Sequence, residues 1–306
     1  MTHYSQHQFL RGQIAHFTQM VETETDPILM RPMYKNRLRT LQAELAAMPD
    51  DQPEAKVALY FWGKPTVGSL GIEAEFLANV LGHFKSMVAT DYANSYFGGV
   101  SERGAVPNPM ETKLYLTALP RGSFGVELTK LTEDNLFDNN QMGETLGHII
   151  ALVEAATTSD AIFLKEAESA AGRTIKALGE MLAVVSKAEG GFALESGTKR
   201  LEVSESRVKE AAHRTAYKDE EVNQMQIDGI ISGFLKHSKK LEIVDNELKK
   251  YAVKVPKEFL EAETIAKIRA TEDERCLVKV EENKVIFTSG LERKQYTLLE
   301  VPEILA

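Results

Sequence analysis

The sequence has very little cysteine and no long apolar run, and each shortage excludes a class of protein. Cys276 is the single cysteine among 306 residues, which excludes an internal disulfide and any metal site built wholly from cysteine. The longest mostly apolar stretch, LGHIIALVEAA, is shorter than the roughly 20 residues that a membrane-spanning helix needs. The opening MTHYSQHQFLRG lacks the cationic start and apolar core of a signal peptide. We therefore expect a cytoplasmic protein with no membrane association.

The sequence also lacks an excess of basic charge, since its 36 lysine and arginine residues are outnumbered by 45 aspartate and glutamate residues. The formal net charge is −9 and no segment is strongly basic, so high-affinity binding to nucleic-acid phosphates is not favoured. The phosphate-binding patterns GxxxxGK[ST] and GxGxxG are both absent from the sequence. The sequence predicts no cofactor and no bound metal, and it favours a protein partner over a nucleic acid.

Hydrophobic spacing predicts helices first and a mixed pattern next. Residues 1–50 carry apolar side chains at three- to four-residue steps on both sides of a break at Thr25-Asp-Pro27, which predicts a helical hairpin. Residues 51–218 alternate between strand-like runs, such as VALYFWG, and helix-like apolar stripes. This second region is therefore predicted to form a mixed α/β core domain.

The pattern changes at KDEEVN (218–223), where we place a domain boundary. Beyond it, short strand-like segments follow one another: QIDGIISGFLKH, KKLEIVD, CLVKVEE, KVIFTSG and QYTLLEV. Five short strands within residues 219–306 predict a small β-barrel of the SH3-like or OB-like kind. The predicted fold class is α+β, with a helical N-terminal segment, an α/β core and a C-terminal barrel.

The stretch LPRGSFGVEL (119–128) contains a serine between two glycines, as some catalytic loops do. A nucleophilic serine normally sits on a strand-to-helix elbow of the form G-x-S-x-G, whereas here Gly-Ser-Phe-Gly leads into a strand pattern. We therefore interpret the stretch as a hairpin turn between the strands KLYLTALP and SFGVELTKL, with Arg121 exposed.

Three basic residues are candidates for binding a partner or an anion. Arg103 lies in a glycine- and proline-rich segment, residues 94–109, that is long enough to be a functional loop. Lys64 and Arg121 lie in turn-rich segments that are predicted to border this loop. We therefore predict an anion- or partner-binding edge formed by Arg121, Arg103 and Lys64.

Glu111-Thr-Lys113, at the start of a strand pattern, matches the Glu-x-Lys element of restriction-type nucleases. In such sites acidic residues bind magnesium and the lysine steadies the attacking water. A further acid is needed upstream, and Asp91 or Glu73 would have to supply it. However, Asp91 follows a helix pattern where that fold would place a strand, and Glu-x-Lys arises often by chance in a chain that is 26% charged.

The ordered set of motifs resembles a family of uncharacterised bacterial proteins. LYFWGKPTVGSLGIEAEF, KLYLTALPRGSFGVEL and GRTIKALGEMLAVVSKAEGGFALE occur in this order, and the resemblance covers about residues 56–300. It implies an RGSFG-type hairpin core, a C-terminal five-stranded β-barrel and an association with phage-defence or mobile loci. It implies no catalytic residues.

These observations predict a non-catalytic interaction protein, an adaptor or sensor subunit of a bacterial cytoplasmic complex with a role in antiviral defence. Two alternatives stay open. The first is a metal-dependent nuclease that uses Glu111 and Lys113, and the second is a nucleic-acid-binding module that acts through the C-terminal barrel.

Overall fold

The computed structural model describes residues 1–23, 30–48, 53–97, 100, 104–120, 124–131, 136–235 and 239–305. Its helices are α1 (His3–Thr23), α2 (Met30–Ala47), α3 (Ala74–Tyr96), α4 (Leu136–Thr158), α5 (Asp160–Ala167), α6 (Gly172–Lys187), α7 (Glu205–Thr215) and α8 (Ala262–Arg269). Its strands are β1 (Lys56–Gly63), β2 (Thr66–Val67), β3 (Gly71–Ile72), β4 (Tyr115–Ala118), β5 (Phe124–Thr129), β6 (Gly190–Ser196), β7 (Lys199–Val203), β8 (Tyr217–Leu235), β9 (Lys240–Asp245), β10 (Lys250–Lys254), β11 (Arg275–Phe287), β12 (Glu292–Leu298) and β13 (Glu303–Ile304). These helices, together with sheets whose strand pairings are mostly antiparallel, confirm the predicted α+β class.

The chain divides into two compact units whose segments interleave along the sequence. The first unit comprises Met1–Ala78, Met110–Glu154 and Val185–Glu205, and the second comprises Asn79–Pro109, Ala155–Val184 and Ser206–Ala306. The contiguous division at residues 50 and 218 stays a prediction. KDEEVN, which we placed at the second boundary, lies within β8.

The first unit begins with the predicted helical hairpin. α1 and α2 pack against each other, and the rings of Phe17 and Tyr34 are 6.1 Å apart. The hairpin buries few of its side chains. Among the described residues, Leu10 is the single buried residue of α1 and Leu41 is the single buried residue of α2. We call this helical pair the arm.

A five-stranded antiparallel sheet forms the centre of the first unit, in the order β4-β5-β1-β6-β7. Because side chains alternate along a strand, Val57, Leu59 and Phe61 of β1 share one face and are fully buried. The Phe61 ring packs edge-on against Phe76 of α3, 5.5 Å away. The pairing of β4 with β5 confirms the two strands predicted on either side of Pro120.

The opposite face of this sheet carries two aromatic rings that lie over glycines. Tyr60 of β1 is paired with Gly125 of β5, and Trp62 is paired with Gly191 of β6. A Cβ atom at Gly125 would lie 2.7 Å from Cδ1 of Tyr60, and one at Gly191 would lie 2.3 Å from Nε1 of Trp62. The glycines therefore make room for the rings to lie flat on the sheet.

The strands of the second unit pair in a closed circuit. β8 pairs with β9, β9 with β10, β10 with β12, β12 with β11, and β11 again with β8. The β10–β12 pairing is parallel and the others are antiparallel, while α8 lies in the chain between β10 and β11. Valine, isoleucine and leucine side chains from all five strands, with Ile268 of α8, form its core.

Two strand predictions in this region were wrong in detail. CLVKVEE and KVIFTSG were expected to be separate strands, but β11 runs through both, because the polar residues Glu281 to Lys284 are half-buried and continuously paired with β8 and β12. β10 was not predicted. Its lysine-rich sequence, KYAVK, hides an alternation in which Tyr251 and Val253 are buried.

The close approach of Trp62 to Gly191 predicts the effect of adding a single methyl group. In Gly191→Ala, the new Cβ would meet the indole and would also lie 2.9 Å from the carbonyl oxygen of Val203, which cannot move away as a side chain can. We expect a loss of about 1–3 kcal/mol in the free energy of unfolding, measured by urea denaturation. Trp62 is the one tryptophan in the chain, so its fluorescence should shift as the ring is displaced.

Gly147→Ala is the matched control. Gly147 lies within α4, and a Cβ atom added there would meet nothing within 4 Å beyond the backbone of its own helix. Alanine there should be neutral or stabilising by up to about 1 kcal/mol, because alanine favours helix over glycine. Equal losses in both variants would contradict the packing described for Trp62.

Candidate functional site

The aromatic face of the five-stranded sheet also carries buried charge. Ala58 of β1 is paired with Glu127 of β5 on one side and with Glu195 of β6 on the other, and Glu195 is paired with Arg200 of β7. Glu127 is 6% exposed and Glu195 is 1% exposed. A carboxylate removed from water in this way must be compensated by hydrogen bonds and positive charge.

Four donors converge on the buried carboxylate of Glu195. Oε2 accepts hydrogen bonds from Thr2 Oγ1 at 3.0 Å, Ser5 Oγ at 2.7 Å and the Tyr60 hydroxyl at 3.2 Å. Oε1 accepts from the guanidinium group of Arg200. Two of these donors belong to the start of the arm and two to the sheet, so the carboxylate joins one to the other.

Arg200 is held from several directions. Its Nε and Nη2 donate to Oε1 of Glu202 at 2.8 and 2.6 Å, and its guanidinium carbon lies 5.9 Å from the ring centre of Tyr4 and 5.2 Å from that of Tyr60. Burial alone would lower the pKa of Arg200, but the hydrogen bonds to Glu202 and Glu195 outweigh it and raise the pKa. The cation is therefore firmly retained.

Tyr60 is neutral in this setting. Burial raises the pKa of its hydroxyl, and the negative charge of Glu195 raises it further, although a hydrogen bond with Ser5 opposes the change. The hydroxyl is thus a donor to Glu195 throughout the physiological pH range.

The first turn of α1 is fixed by partners for its backbone N–H groups. His3 N donates to Oε2 of Glu54 at 3.0 Å, Tyr4 N donates to the carbonyl oxygen of Gly197 at 2.7 Å, and Ser5 N donates to Thr2 Oγ1 at 3.2 Å. Thr2 therefore acts as the N-cap, and the carboxylate of Glu54 complements the positive end of the helix. We call the contacts of Thr2, Tyr4 and Ser5 with Tyr60, Glu195 and Arg200 the junction.

A second carboxylate, that of Glu127, also contacts residues at the start of the arm. Glu127 lies 3.0 Å from the α-amino nitrogen of Met1 and 3.8 Å from Nζ of Lys56, and it accepts a hydrogen bond from Thr117 at 3.3 Å. Lys56 also donates to the carbonyl oxygen of Met1 at 3.1 Å. The hydroxyl and amino groups at the start of the arm are thus bound to carboxylates. This pairing suits anchoring of the arm better than nucleophilic chemistry.

The residues proposed for a nuclease site lie outside the strands of the five-stranded sheet. Glu111 is half-buried in a turn before β4, and the exposed Lys113 follows it in irregular structure, outside the strand that we expected them to open. Glu73 is exposed just before α3, and Asp91 is buried within α3 in the second unit. Within the described ranges, no three histidine, cysteine, aspartate or glutamate side chains are grouped as a metal ion would require.

Of the three predicted basic residues, one can be placed. Lys64, just after β1, forms an exposed ion pair with Glu189 at 2.6 Å. Arg103 and Arg121 lie outside the described residues, as do Gly122 and Ser123 of the predicted turn. Their proposed role in binding stays a prediction.

The nucleic-acid hypothesis would use the outer surface of the C-terminal strands. The outward side chains of β9 and β10 are Lys240, Glu242, Val244, Lys250, Ala252 and Lys254. None of these six is aromatic, and Tyr251 points inward against Tyr296, 5.2 Å away. The described part of these two strands therefore offers lysines without a base-stacking ring.

A shallow cleft of about 510 Å³ lies in the second unit. It is lined by Asp160, Lys209, Glu210, His213, Arg214 and Ser289. Arg214 is already bound, since its Nε is 2.5 Å from Asp160 and its Nη1 donates to the carbonyl oxygen of Ala156. The mixed charge of this cleft suggests no particular ligand class.

β4 places exposed apolar side chains at an edge of the sheet, a feature that the sequence alone did not reveal. β4 is an edge strand, and its Tyr115 and Leu116 are 46% and 53% exposed. Leu119 and Leu131, which flank the β4–β5 hairpin ladder, are 60% and 59% exposed. The six residues from Leu114 to Leu119, LYLTAL, contain no charge and no proline.

The opposite edge of the same sheet is built differently. β7 reads KRLEV, and its Lys199, Arg200 and Glu202 place charge on that edge, as is usual for exposed strands. The absence of charge from β4 thus distinguishes one edge of the sheet from the other. The sequence shows that this run is uncharged and prone to form a strand. That the strand lies at an edge of the sheet follows only from the sheet order.

Comparison of the chain with protein-family models, with curated proteins and with solved structures finds no match. Among the described helices, none combines the length and the apolar character needed to cross a bilayer.

The geometry of the junction predicts that substituting the two glutamates that bind Arg200 will reduce stability to very different extents. Glu195→Gln removes a buried negative charge and leaves the guanidinium group partly uncompensated, so we expect a loss of about 2–4 kcal/mol in the free energy of unfolding. Amide hydrogens in the first turn of α1 should exchange faster. Glu202→Gln should cost less than about 1 kcal/mol, because the Glu202 side chain is 63% exposed. Similar losses in both variants would argue against Glu195 as the anchor.

The raised pKa of Tyr60 predicts an alkaline limit to stability. Since folding favours the neutral hydroxyl, its contribution is complete below the ordinary pKa of 10.0 and is lost as the pH rises through the folded-state value. Tyr60→Phe cannot ionise there, so the stability gap between wild type and this variant should narrow above pH 10. Urea denaturation at a series of pH values tests this, and a constant gap would contradict it.

Proposed function

We propose that this protein is a non-catalytic interaction protein, and that it binds an extended segment of a protein partner along β4. The observation that carries the proposal is the exposed, uncharged edge strand with Tyr115 and Leu116 on its two faces. A role as adaptor or sensor subunit of a bacterial complex, with a part in antiviral defence, stays a prediction that rests on the sequence resemblance.

An exposed edge strand offers unpaired backbone N–H and C=O groups along its outer side. Natural proteins usually protect such an edge with charged residues, proline, a bulge or a covering segment. β4 has a register shift between Leu116 and Ala118, but it lacks charge and proline. An uncharged run such as LYLTAL is also prone to aggregation if it is left open. A partner strand that pairs with β4 would satisfy its backbone and remove this hazard.

The two faces of β4 would give the partner its specificity. Leu116 is paired with Leu128, so it extends the apolar face of the sheet, while Tyr115 is paired with Thr129 and extends the polar face. In strand addition, main-chain hydrogen bonds supply affinity and alternate side chains supply selectivity. We therefore expect an extended partner segment that places an apolar side chain beside Leu116.

The arrangement of carboxylates favours interaction over catalysis. Glu195 is enclosed by Thr2, Ser5, Tyr60 and Arg200, so it serves as an anchor. The nuclease and nucleic-acid alternatives have less support. Glu111 and Lys113 lie outside a strand, and the outward residues of β9 and β10 include no aromatic ring.

A photo-cross-linking amino acid at position 116 tests the proposal in cells of the source organism. We expect it to capture a protein through an extended segment, which mass spectrometry of the cross-linked peptide identifies. A synthetic copy of that segment should bind the purified protein and slow amide exchange in β4. Leu116→Lys should weaken this binding at least about tenfold, because it places a charge at the centre of the interface.

Leu70→Lys is the matched control, since Leu70 is 89% exposed in the same unit but lies outside the sheet. Both variants should keep their melting temperature within about 2 °C of wild type. The proposal would be abandoned if the captured segment bound without protecting β4, or if magnesium-dependent cleavage of DNA or RNA was found and was lost in Glu111→Ala and Lys113→Ala.

A further inference from the structure

The arm has more apolar surface than its two helices cover. Side chains that recur at alternating three- and four-residue steps form a seam on each helix: Leu10, Ile14, Phe17 and Val21 on α1, and Tyr34, Leu38, Leu41 and Leu45 on α2. Such heptad spacing is typical of coiled-coil packing. Only Leu10 and Leu41 of these eight are buried, and the others are half-buried.

Further apolar side chains lie beside the seam. Phe9 is 54% exposed, Met30 is 36% exposed and Met33 is 62% exposed. On an antiparallel pair of helices, the same flank of each helix borders the same side, so these three residues line one side of the arm. Exposed methionine and phenylalanine on a two-helix hairpin are typical of a surface that another helix covers.

The same flank of α2 has a sequence that is complementary to itself when reversed. Met33, Arg37, Thr40, Glu44 and Ala47 follow one another at steps of four, three, four and three residues, so they form one stripe. An identical helix laid antiparallel across Thr40 would place Arg37 opposite Glu44, Glu44 opposite Arg37, and Met33 beside Ala47. Both ion pairs would lie about 5 Å from the symmetry axis along the helix.

The other charges of α2 are kept away from this stripe. Arg31, Lys35 and Arg39 are four residues apart and lie on the opposite flank of the helix. Two arms that meet through the Met33–Ala47 stripe would therefore not bring these cations together. Within one chain, Arg37 and Glu44 are 4.0 Å apart and about half-exposed, so both can pair across an interface.

We propose that two copies of this chain associate through α2, with the two arms forming an antiparallel four-helix bundle. The interface would be isologous, since the same stripe serves on both copies. It would cover Phe9, Met30 and Met33 and replace one loose ion pair in each chain with two pairs between chains. The proposal is independent of partner binding at β4.

Charge exchange across the symmetry axis tests the proposal with the full-length chain. Sedimentation equilibrium at physiological salt should detect a dimer with a dissociation constant below about 100 µM. Arg37→Glu and Glu44→Arg should each raise this constant at least about tenfold, because each places like charges opposite one another. The double variant, which exchanges the two residues, should return it to within about threefold of wild type.

Arg39→Glu is the matched control, because it reverses a charge on the opposite flank of the same helix and should leave the dimer intact. Leu116→Lys should also leave it intact, which separates the arm from β4. The proposal fails if the chain is monomeric at about 100 µM, if the double variant does not restore association, or if Leu116→Lys dissociates the dimer.

Discussion

The arrangement of the first unit depends on the hydrogen bonds of one buried carboxylate, that of Glu195. A charge that is 1% exposed is tolerated only because hydroxyl groups from α1, the Tyr60 hydroxyl and Arg200 all donate to it. Since Thr2 and Ser5 come from the start of the arm, the carboxylate has all four donors only when α1 is docked. The need to compensate one buried carboxylate thereby determines where the helical hairpin begins.

This anchor also explains why the sheet has two unlike faces. One face is apolar through Val57, Leu59 and Phe61, whereas the other combines small residues, two flat aromatic rings and ionised groups. Gly125 and Gly191 give the rings their space on that second face. Hydrophobic burial holds one side of the sheet, and directional hydrogen bonds specify what docks on the other.

Periodicity in the sequence predicted the elements better than it predicted their partners. The helical hairpin, β1, the β4 and β5 strands and the α+β class could all be derived from local spacing, because that spacing reflects which side of each element is buried. Nothing within ESGTKR (195–200) indicates that Glu195 is buried, since the three hydroxyl groups that donate to it lie 135 to 193 residues away in sequence. Long-range compensation of a buried charge leaves no local signal. β10 was missed because the lysines at its two ends, Lys250 and Lys254, obscure the alternation that buries Tyr251 and Val253.

The two exposed surfaces of the first unit are β4 and the stripe on α2. If both bind a partner, dimerisation through α2 would affect binding at β4. A dimer held by α2 would present two β4 edges on one assembly, and a partner with two copies of its extended segment could engage both. The second contact would then be intramolecular, and its effective concentration could raise the overall affinity by about 10²–10⁴ without any new interface. A four-residue edge strand such as β4 buries little area and is expected to bind weakly alone. The hydrogen-bonded junction at Glu195 would matter for this reason, since the place where the arm docks sets the separation of the two edges and so determines which partners can span them.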